Sequence, residues 1–414
     1  MEKKLTLNKI ALIIALAVLC LIFFAFLILY FATKKPVAAF YGIPENTQQA
    51  IESVLQTTYT RKNKSSLPYT IKILDSTVSL KDALKHSKKP DIIFINSGLN
   101  CDYIASIAKK KKRGFSLSIL DGMTSSIRNI TPVSNNSVNA VPLLIDNYEI
   151  DIDINTFRNS DIEAINFWSD IESFASKIKP TTVAPILFSA NDDETIINVF
   201  GALVESFSGV NAWSSMVEKI QQTLAVKNPT YSTYSDLVSK MIEPNGELHD
   251  VVNFLIECKR KGILPKNLEL TTFDDISAYM SANLTAIVFM TLSQHRTIEY
   301  ETISKYSTIY YPSTTYNVQR HFTAPVLFAV PNSKNKISRT SIEMLASSLQ
   351  GTLSTRTGLA PTQANCSTPD KQADDVRYWI AASEDPLPTL SEAAFTTKAE
   401  RNAFAEVLRN LIKI

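Results

Sequence analysis

The sequence predicts an α/β protein of two lobes, preceded by one membrane-spanning helix. An uncharged apolar run fills residues 10–33. The chain after it is too long for a typical single core and suits two lobes. Its early segments alternate strand, helix, strand, helix, strand, the pattern of an α/β sheet.

The apolar run comes first. It extends from Ile10 to Thr33, with Lys9 before it and Lys34 and Lys35 after it. About 24 residues make a helix of roughly 36 Å, enough to cross a hydrocarbon core of ~30 Å with some tilt. About sixteen of them are Leu, Ile, Phe or Val, each favouring insertion by roughly 0.3–0.6 kcal/mol near the bilayer centre. A cleaved signal peptide has an apolar core of about 7–15 residues and small residues at the cut. This run is longer, and Thr33-Lys34-Lys35-Pro36 is a poor cleavage site. A lipoprotein signal ending at Cys20 wants a small residue where Leu19 stands. The preferred reading is an uncleaved anchor, with lipidation at Cys20 and simple cleavage as alternatives. The plainer alternative for Cys20 is a small apolar residue inside the helix. Lys3, Lys4 and Lys9 outweigh Lys34 and Lys35 slightly, which favours an inside N-terminus. Residues 1–9 are then a cytoplasmic tail. Residues 36–414 lie in the periplasm or outside the cell, tethered to the cytoplasmic membrane.

Pro36 to Gly42 is a short apolar strand ending at a turn, and Thr47 to Thr57 a helix with Ile51 and Leu55 on one face. Tyr69 to Leu74 alternates as a strand. Leu80 to His86 is helical. Pro90 to Ser97 is an apolar strand of the kind buried on both faces in a parallel sheet. Ligands sit beyond the carboxyl ends of such strands, which singles out Tyr41, Asn96 and Ser97 by position. Asp102 to Arg113 is helical; its basic run Lys109-Lys110-Lys111-Lys112-Arg113, followed by Gly114, is ordinary helix-end chemistry. The polar stretch Thr124 to Asn139 is expected to be a mobile loop. Ala140 to Ile154 is extended, and its second half alternates acidic and apolar residues like a half-exposed strand. Helices follow at Asn166 to Ile178, Thr195 to Phe207, His249 to Lys261 and Phe273 to Asn283. Strands follow at Thr285 to Met290 and Ala324 to Val330. Glu392 to Ile414 is an amphipathic helix.

Composition excludes more than it assigns. Lys and Arg total 42 against 40 Asp and Glu, a net charge of +2, which argues against nucleic acid as a partner. Cys101, Cys258 and Cys366 are too few and too widely spaced for a disulfide framework. His86, His249, His295 and His321 show no metal-ligand spacing. GxSxG, P-loop and HExxH motifs are missing, and ten glycines leave little for a phosphate cradle. No catalytic residue, metal or cofactor is expected.

The order of segments resembles the extracellular solute-binding proteins of the maltose-binding type, which serve ABC sugar importers. The likeness is spread over about residues 36–414. It rests on PDIIFINSG, AVPLLIDNYEIDIDINTF, NFWSDIESFASKI, PILFSANDDETIINVFGALVESFSG, FDDISAYMSANLTAIVFM, APVLFAVPNSKNKISRTSIEMLASSLQ and RTGLAPTQANC, in that order. Two departures bear on ligand and transport. TLSQHRTI stands where the family often has glycines and a tryptophan, and Phe322-Thr323-Ala324 stands where a glycine pair is usual.

The resemblance implies a two-lobed periplasmic-binding-protein type II fold with crossover hinge strands. Lobe 1 would hold 36–145 and 291–325; lobe 2 would hold 146–290 and 326–414. The chain would capture a small solute, by preference a carbohydrate, between the lobes and deliver it to the permease subunits of an ABC importer. Residues 10–33 would contact membrane lipid. Carried over by position, the cleft candidates are Tyr41, Asn96, Asp146, Tyr148, Asp192, Asp193 and Gln294. Asp192 and Asp193 are equally suited to capping a helix, and Gln294 to a surface loop. Trp168 and Trp379 read as helix-packing residues, Trp213 as one on a surface helix. The alternative function is a surface, sensory or structural protein that keeps the fold without transport. A hydrolase using Asp192 and Asp193 is disfavoured, because adjacent side chains rarely converge on one substrate.

Overall fold

The computed structural model describes Leu12 and residues 15–24, 35–60, 69–87, 89–226, 229–316 and 319–413. The tail 1–9 and most of the expected span 10–33 lie outside the described residues. Residues 15–24 are helical and exposed, and among the described residues no helix is long and apolar enough to cross a membrane.

Two sheets organise the rest. Their strands, in chain order, are β1 (Val37–Tyr41), β2 (Thr70–Ile73), β3 (Ile92–Asn96), β4 (Val141–Ile145), β5 (Tyr148–Asp153), β6 (Ile186–Leu187), β7 (Ile287–Thr291), β8 (Tyr306–Tyr310), β9 (Val326–Pro331) and β10 (Ala360–Pro361). The six-stranded sheet has the order β10-β4-β9-β3-β1-β2, the four-stranded sheet β8-β5-β7-β6. β1 runs parallel to β2 and β3, joined by helices Glu45–Thr60 and Leu80–Lys85. β9 inserts antiparallel between β3 and β4. β5 lies antiparallel between β7 and β8. Each sheet carries its own apolar core. In the first, Phe40 stacks on Phe94 with ring centroids 5.1 Å apart. In the second, Trp168 is 3 % exposed and packs against Phe207, Phe254 and Phe289. Its indole Nε1 donates to Ser206 Oγ at 2.7 Å, so the ring is buried without an orphaned donor.

The pairing corrects the expected division of the chain. Residues 326–414 do not all follow the second lobe: β9 and β10 belong to the first sheet, and helices Lys336–Leu345 and Lys371–Ala382 pack there. Residues 291–325 do not follow the first lobe as a block, because β8 pairs with β5 in the second sheet. β9 is apolar and buried throughout, and apolarity reports burial without saying in which sheet.

Four local expectations also change. The stretch 124–139 is structured: helix Ser125–Ile130 buries Ile127, and Val133–Ser134 pairs with Ser137–Val138 across Asn135 and Asn136. Those two asparagines have φ of 50° and 56°, the left-handed pair that a tight hairpin demands. β5 is buried along all six residues rather than half-exposed. The helix expected over 195–207 starts at Asp193, breaks at Gly209 and continues to Leu224. Gly209 has φ 82°, and nothing lies within 4 Å of where a Cβ would stand, so backbone conformation alone requires the glycine. The last helix is two, Leu390–Ala394 and Lys398–Ile412, the second capped by Thr397 and Glu400. Trp213, 6 % exposed, packs from the half-exposed helix after Gly209 into the second core, the packing role expected of it.

Candidate functional site

The chain crosses between the sheets at Asp146-Asn147, linking β4 to β5, and again at Thr323-Ala324-Pro325, ahead of β9. A short helix, Leu292–His295, turns beside the first crossing, with Leu292 N bonded to Asn147 O at 2.9 Å. These segments floor a cavity of about 220 Å³. The first sheet contributes Gly42 and Asn96 to it. The second contributes Tyr148, Asp192, Glu194, Thr195 and Asn198, and the late chain adds Thr389 and Glu392. Sharing Asp192, Thr195 and Gln294, a wider groove of about 590 Å³ continues along Asn191, Phe273 and Asp274.

Five of the seven expected residues line this cleft: Asn96, Asp146, Tyr148, Asp192 and Gln294. Asn96 ends β3, pointing where the strand stops. Asp146 accepts from Ser293 N at 3.0 Å, Ser293 Oγ at 2.6 Å and Asn147 N at 2.9 Å. Burial raises its pKa, and those bonds oppose the rise. Asp146 therefore clips the crossing as well as facing the cavity. Tyr148 is 7 % exposed; burial pushes its hydroxyl pKa well up, and Asn198 faces that hydroxyl. Asp192 accepts from Thr195 N at 2.7 Å, capping its helix at the cavity wall. Gln294 Oε1 accepts from Thr291 N at 3.0 Å, closing a capping box around the short helix.

Two expected residues do not line it. Tyr41 is 3 % exposed in the first core, and its hydroxyl donates to Val78 O at 2.6 Å. The strand ends at the cleft, but this side chain leaves on the face that turns into the core. Asp193 lies one residue past the cap and points away, ion-paired to Arg409 on the last helix. Neighbouring positions at a helix start diverge, so the two aspartates serve different structures.

Position-by-position reasoning missed Glu194, Asn198, Ser293 and Glu392. Thr389-x-x-Glu392 reads locally as a helix start, and only the fold carries it into the cleft. Gly98 is what lets it in: a Cβ there would stand 2.5 Å from Glu392 O. Burial, reinforced by Glu194 and opposed by Arg401, pushes the Glu392 carboxyl up to about 8. Asp146, Asp192, Glu194 and Glu392 thus line the cavity with carboxyl groups, Glu392 keeping its proton up to about pH 8, and no Lys or Arg lines it among the described residues. Beside it the late chain ties the lobes together. Lys398 N donates to Thr77 O at 3.0 Å, and Arg401 Nη2 to Ser76 O at 3.3 Å.

No protein-family model and no curated protein matches the chain. Solved structures do. The bacterial solute receptor AcbH, described as exclusively preferring β-D-galactopyranose, superposes with a TM-score of 0.65 at 10 % identity, covering 92 % of this chain and 96 % of that one.

The chain has the fold of the solute receptors.

A chitin oligosaccharide binding protein gives a TM-score of 0.63 at 14 % identity over 91 % of this chain and 94 % of its own. RafE from Streptococcus pneumoniae gives 0.60 at 11 % identity over 92 % and 98 %. The resemblance in the segment order is borne out at the level of fold, along nearly the whole described chain.

Proposed function

We propose that this chain is a membrane-anchored, extracytoplasmic solute-binding protein that captures a small solute, by preference a carbohydrate, between its lobes and presents it to an ABC permease. The observation that carries the reading is the polar cleft at the crossing segments, where Asn96, Asp146, Asn198, Gln294 and Glu392 converge from separate elements. Amides and carboxyls are the groups that match hydroxyls, and each lost buried partner costs roughly 1–3 kcal/mol, enough for selectivity. The sugar receptors that share the fold support the solute class. The acidic lining favours neutral or positively charged solutes over acidic ones. The apolar run 10–33 supports an anchor in the cytoplasmic membrane, with the large domain outside the cytoplasm.

A second reading, a surface or sensory protein that keeps the fold without transport, draws on one observation. The cavity of about 220 Å³ is small, because Glu392 enters it and the late chain closes its side. Thermal unfolding with neutral sugars, amino sugars, amino acids and polyamines separates the two. A ligand at a hundred times its dissociation constant adds about 2.7 kcal/mol of stability. A saturable shift with one chemical class, lost in Asn96→Ala, supports capture. A flat panel on folded protein freed of co-purified ligand supports the second reading.

A further inference from the structure

Glu149 and Asp151 stand two residues apart on β5, so their carboxyls leave the same face of the strand. The opposite face, with Tyr148, Ile150 and Ile152, belongs to the second core. His295, at the end of the short helix after β7, closes over the acidic face. Asp151 Oδ1 lies 2.8 Å from His295 Nδ1, and Glu149 Oε1 lies 3.8 Å from the same nitrogen. One ligand-capable atom from each residue falls within 4.8 Å of the others. Both carboxylates are 0 % exposed and the imidazole residue 7 %.

An independent observation says the group is incomplete. Among the described residues, Glu149 Oε2 and Asp151 Oδ2 are buried with no hydrogen-bond partner, and the Glu149 carboxylate otherwise accepts only from Gln372 Nε2, at 2.5 Å. The nearby guanidinium of Arg296 is committed elsewhere, to Asp370 at 2.6 and 2.9 Å and to Gly358 O at 3.0 Å. Two buried carboxylates therefore face at most one imidazolium, a costly arrangement unless a proton or a cation joins it.

We propose that Glu149, Asp151 and His295 form a binding site for one divalent transition-metal ion of the zinc or manganese class, behind the cleft and distinct from it. Two carboxylates and one imidazole are a borderline ligand set that suits such ions, and three ligands are too few for the oxygen cage of calcium. Bonds of about 2.0–2.2 Å place ligand atoms roughly 3.0–4.4 Å apart, which small side-chain turns reach from the observed spacing. The ion replaces the Asp151–His295 hydrogen bond, and protons held by the imidazole or the carboxyls leave to solvent. Both orphaned oxygens gain a cation.

The test uses the full chain, stripped with chelator and dialysed against ZnCl₂, MnCl₂ or CaCl₂. About one equivalent of zinc or manganese per chain is expected by elemental analysis, with a raised Tm. Asp151→Asn and His295→Gln should lose both, while Glu247→Gln, an acid elsewhere in the second lobe, should keep both. Because the site is buried and variants can misfold, Co²⁺ loading of the unmutated chain gives a second readout, a visible spectrum of mixed nitrogen and oxygen ligation. Binding that persists in His295→Gln overturns the proposal. So does folded, metal-free protein that takes up no ion and shows no cobalt spectrum; the carboxyls are then held neutral by protons.

Discussion

Glu205 and Glu149 are both buried in the second lobe, and they are treated oppositely. Glu205 is 2 % exposed and saturated. Its Oε2 accepts from Arg320 Nη2 at 2.8 Å, and its Oε1 from Arg320 Nε at 3.1 Å and His321 N at 2.9 Å. The guanidinium lies 4.6 Å from the Phe322 ring centroid, so the pair pins the stretch that leads into β9. Glu149 is 0 % exposed, has one amide donor and keeps one oxygen orphaned. A buried carboxylate with its counter-charge built in holds chain segments together. One without must be neutralised by a proton or by an ion from outside. The contrast separates a structural acid from a binding acid more sharply than burial does.

The strongest way to break that contrast is Glu205→Gln. It leaves Arg320 buried without its counter-charge and is expected to cost about 3–5 kcal/mol by urea unfolding. A loss below about 1 kcal/mol would sink the structural assignment.

The next effect is a pH slope. The Glu392 carboxyl rises from an ordinary 4.5 to about 8 in the folded chain. Between those values the folded state holds a proton that the unfolded state has shed, so stability falls as pH rises. Glu149 and Asp151, also raised, push the same way. Glu392→Gln should flatten the decline by up to about 1.4 kcal/mol per pH unit between pH 5 and 8. An unchanged slope would show that Glu392 carries its charge throughout.

Arg409→Ala tests an intermediate case, because Asp193 has a counter-charge but is only partly buried. A loss of about 1 kcal/mol or less is expected in the same urea assay. The smallest effect belongs to Glu149→Gln. In chelator-treated protein it should change stability by less than about 1 kcal/mol or raise it, because no cation is stranded. A cost matching that of Glu205→Gln would erase the comparison.

How much of this was legible in the sequence follows from the range of the forces involved. β3 and the helix at Trp168 were readable because local pattern decides them: an unbroken apolar run and an amphipathic face. β5 was misread because its acidic face is covered by His295 and Gln372, which are remote in sequence. The alternation was real, and only its inference of solvent was wrong. The lobe assignment of β9 failed for the same reason, since its partners β3 and β4 lie some two hundred residues earlier. In the cleft, Asn96 could be found because it ends a strand of the first sheet, and Asp146 only through the resemblance. Tyr41 shows the limit of that rule, since a strand end fixes the backbone's place but not which face the side chain takes. Glu392 had no local signal except a helix start.

The late chain has one more consequence. The crossings join the lobes at one edge of the cleft, while Lys398 to Thr77 and Arg401 to Ser76 join them again through the second lobe's last helix. A solute captured there, as proposed, between Asn96 and Asn198 would have to wait for those bonds to part before it could leave through that side. Its residence time would then be governed by the unclasping rate of the protein as well as by its own contacts, and two solutes of unequal affinity could depart at similar speeds.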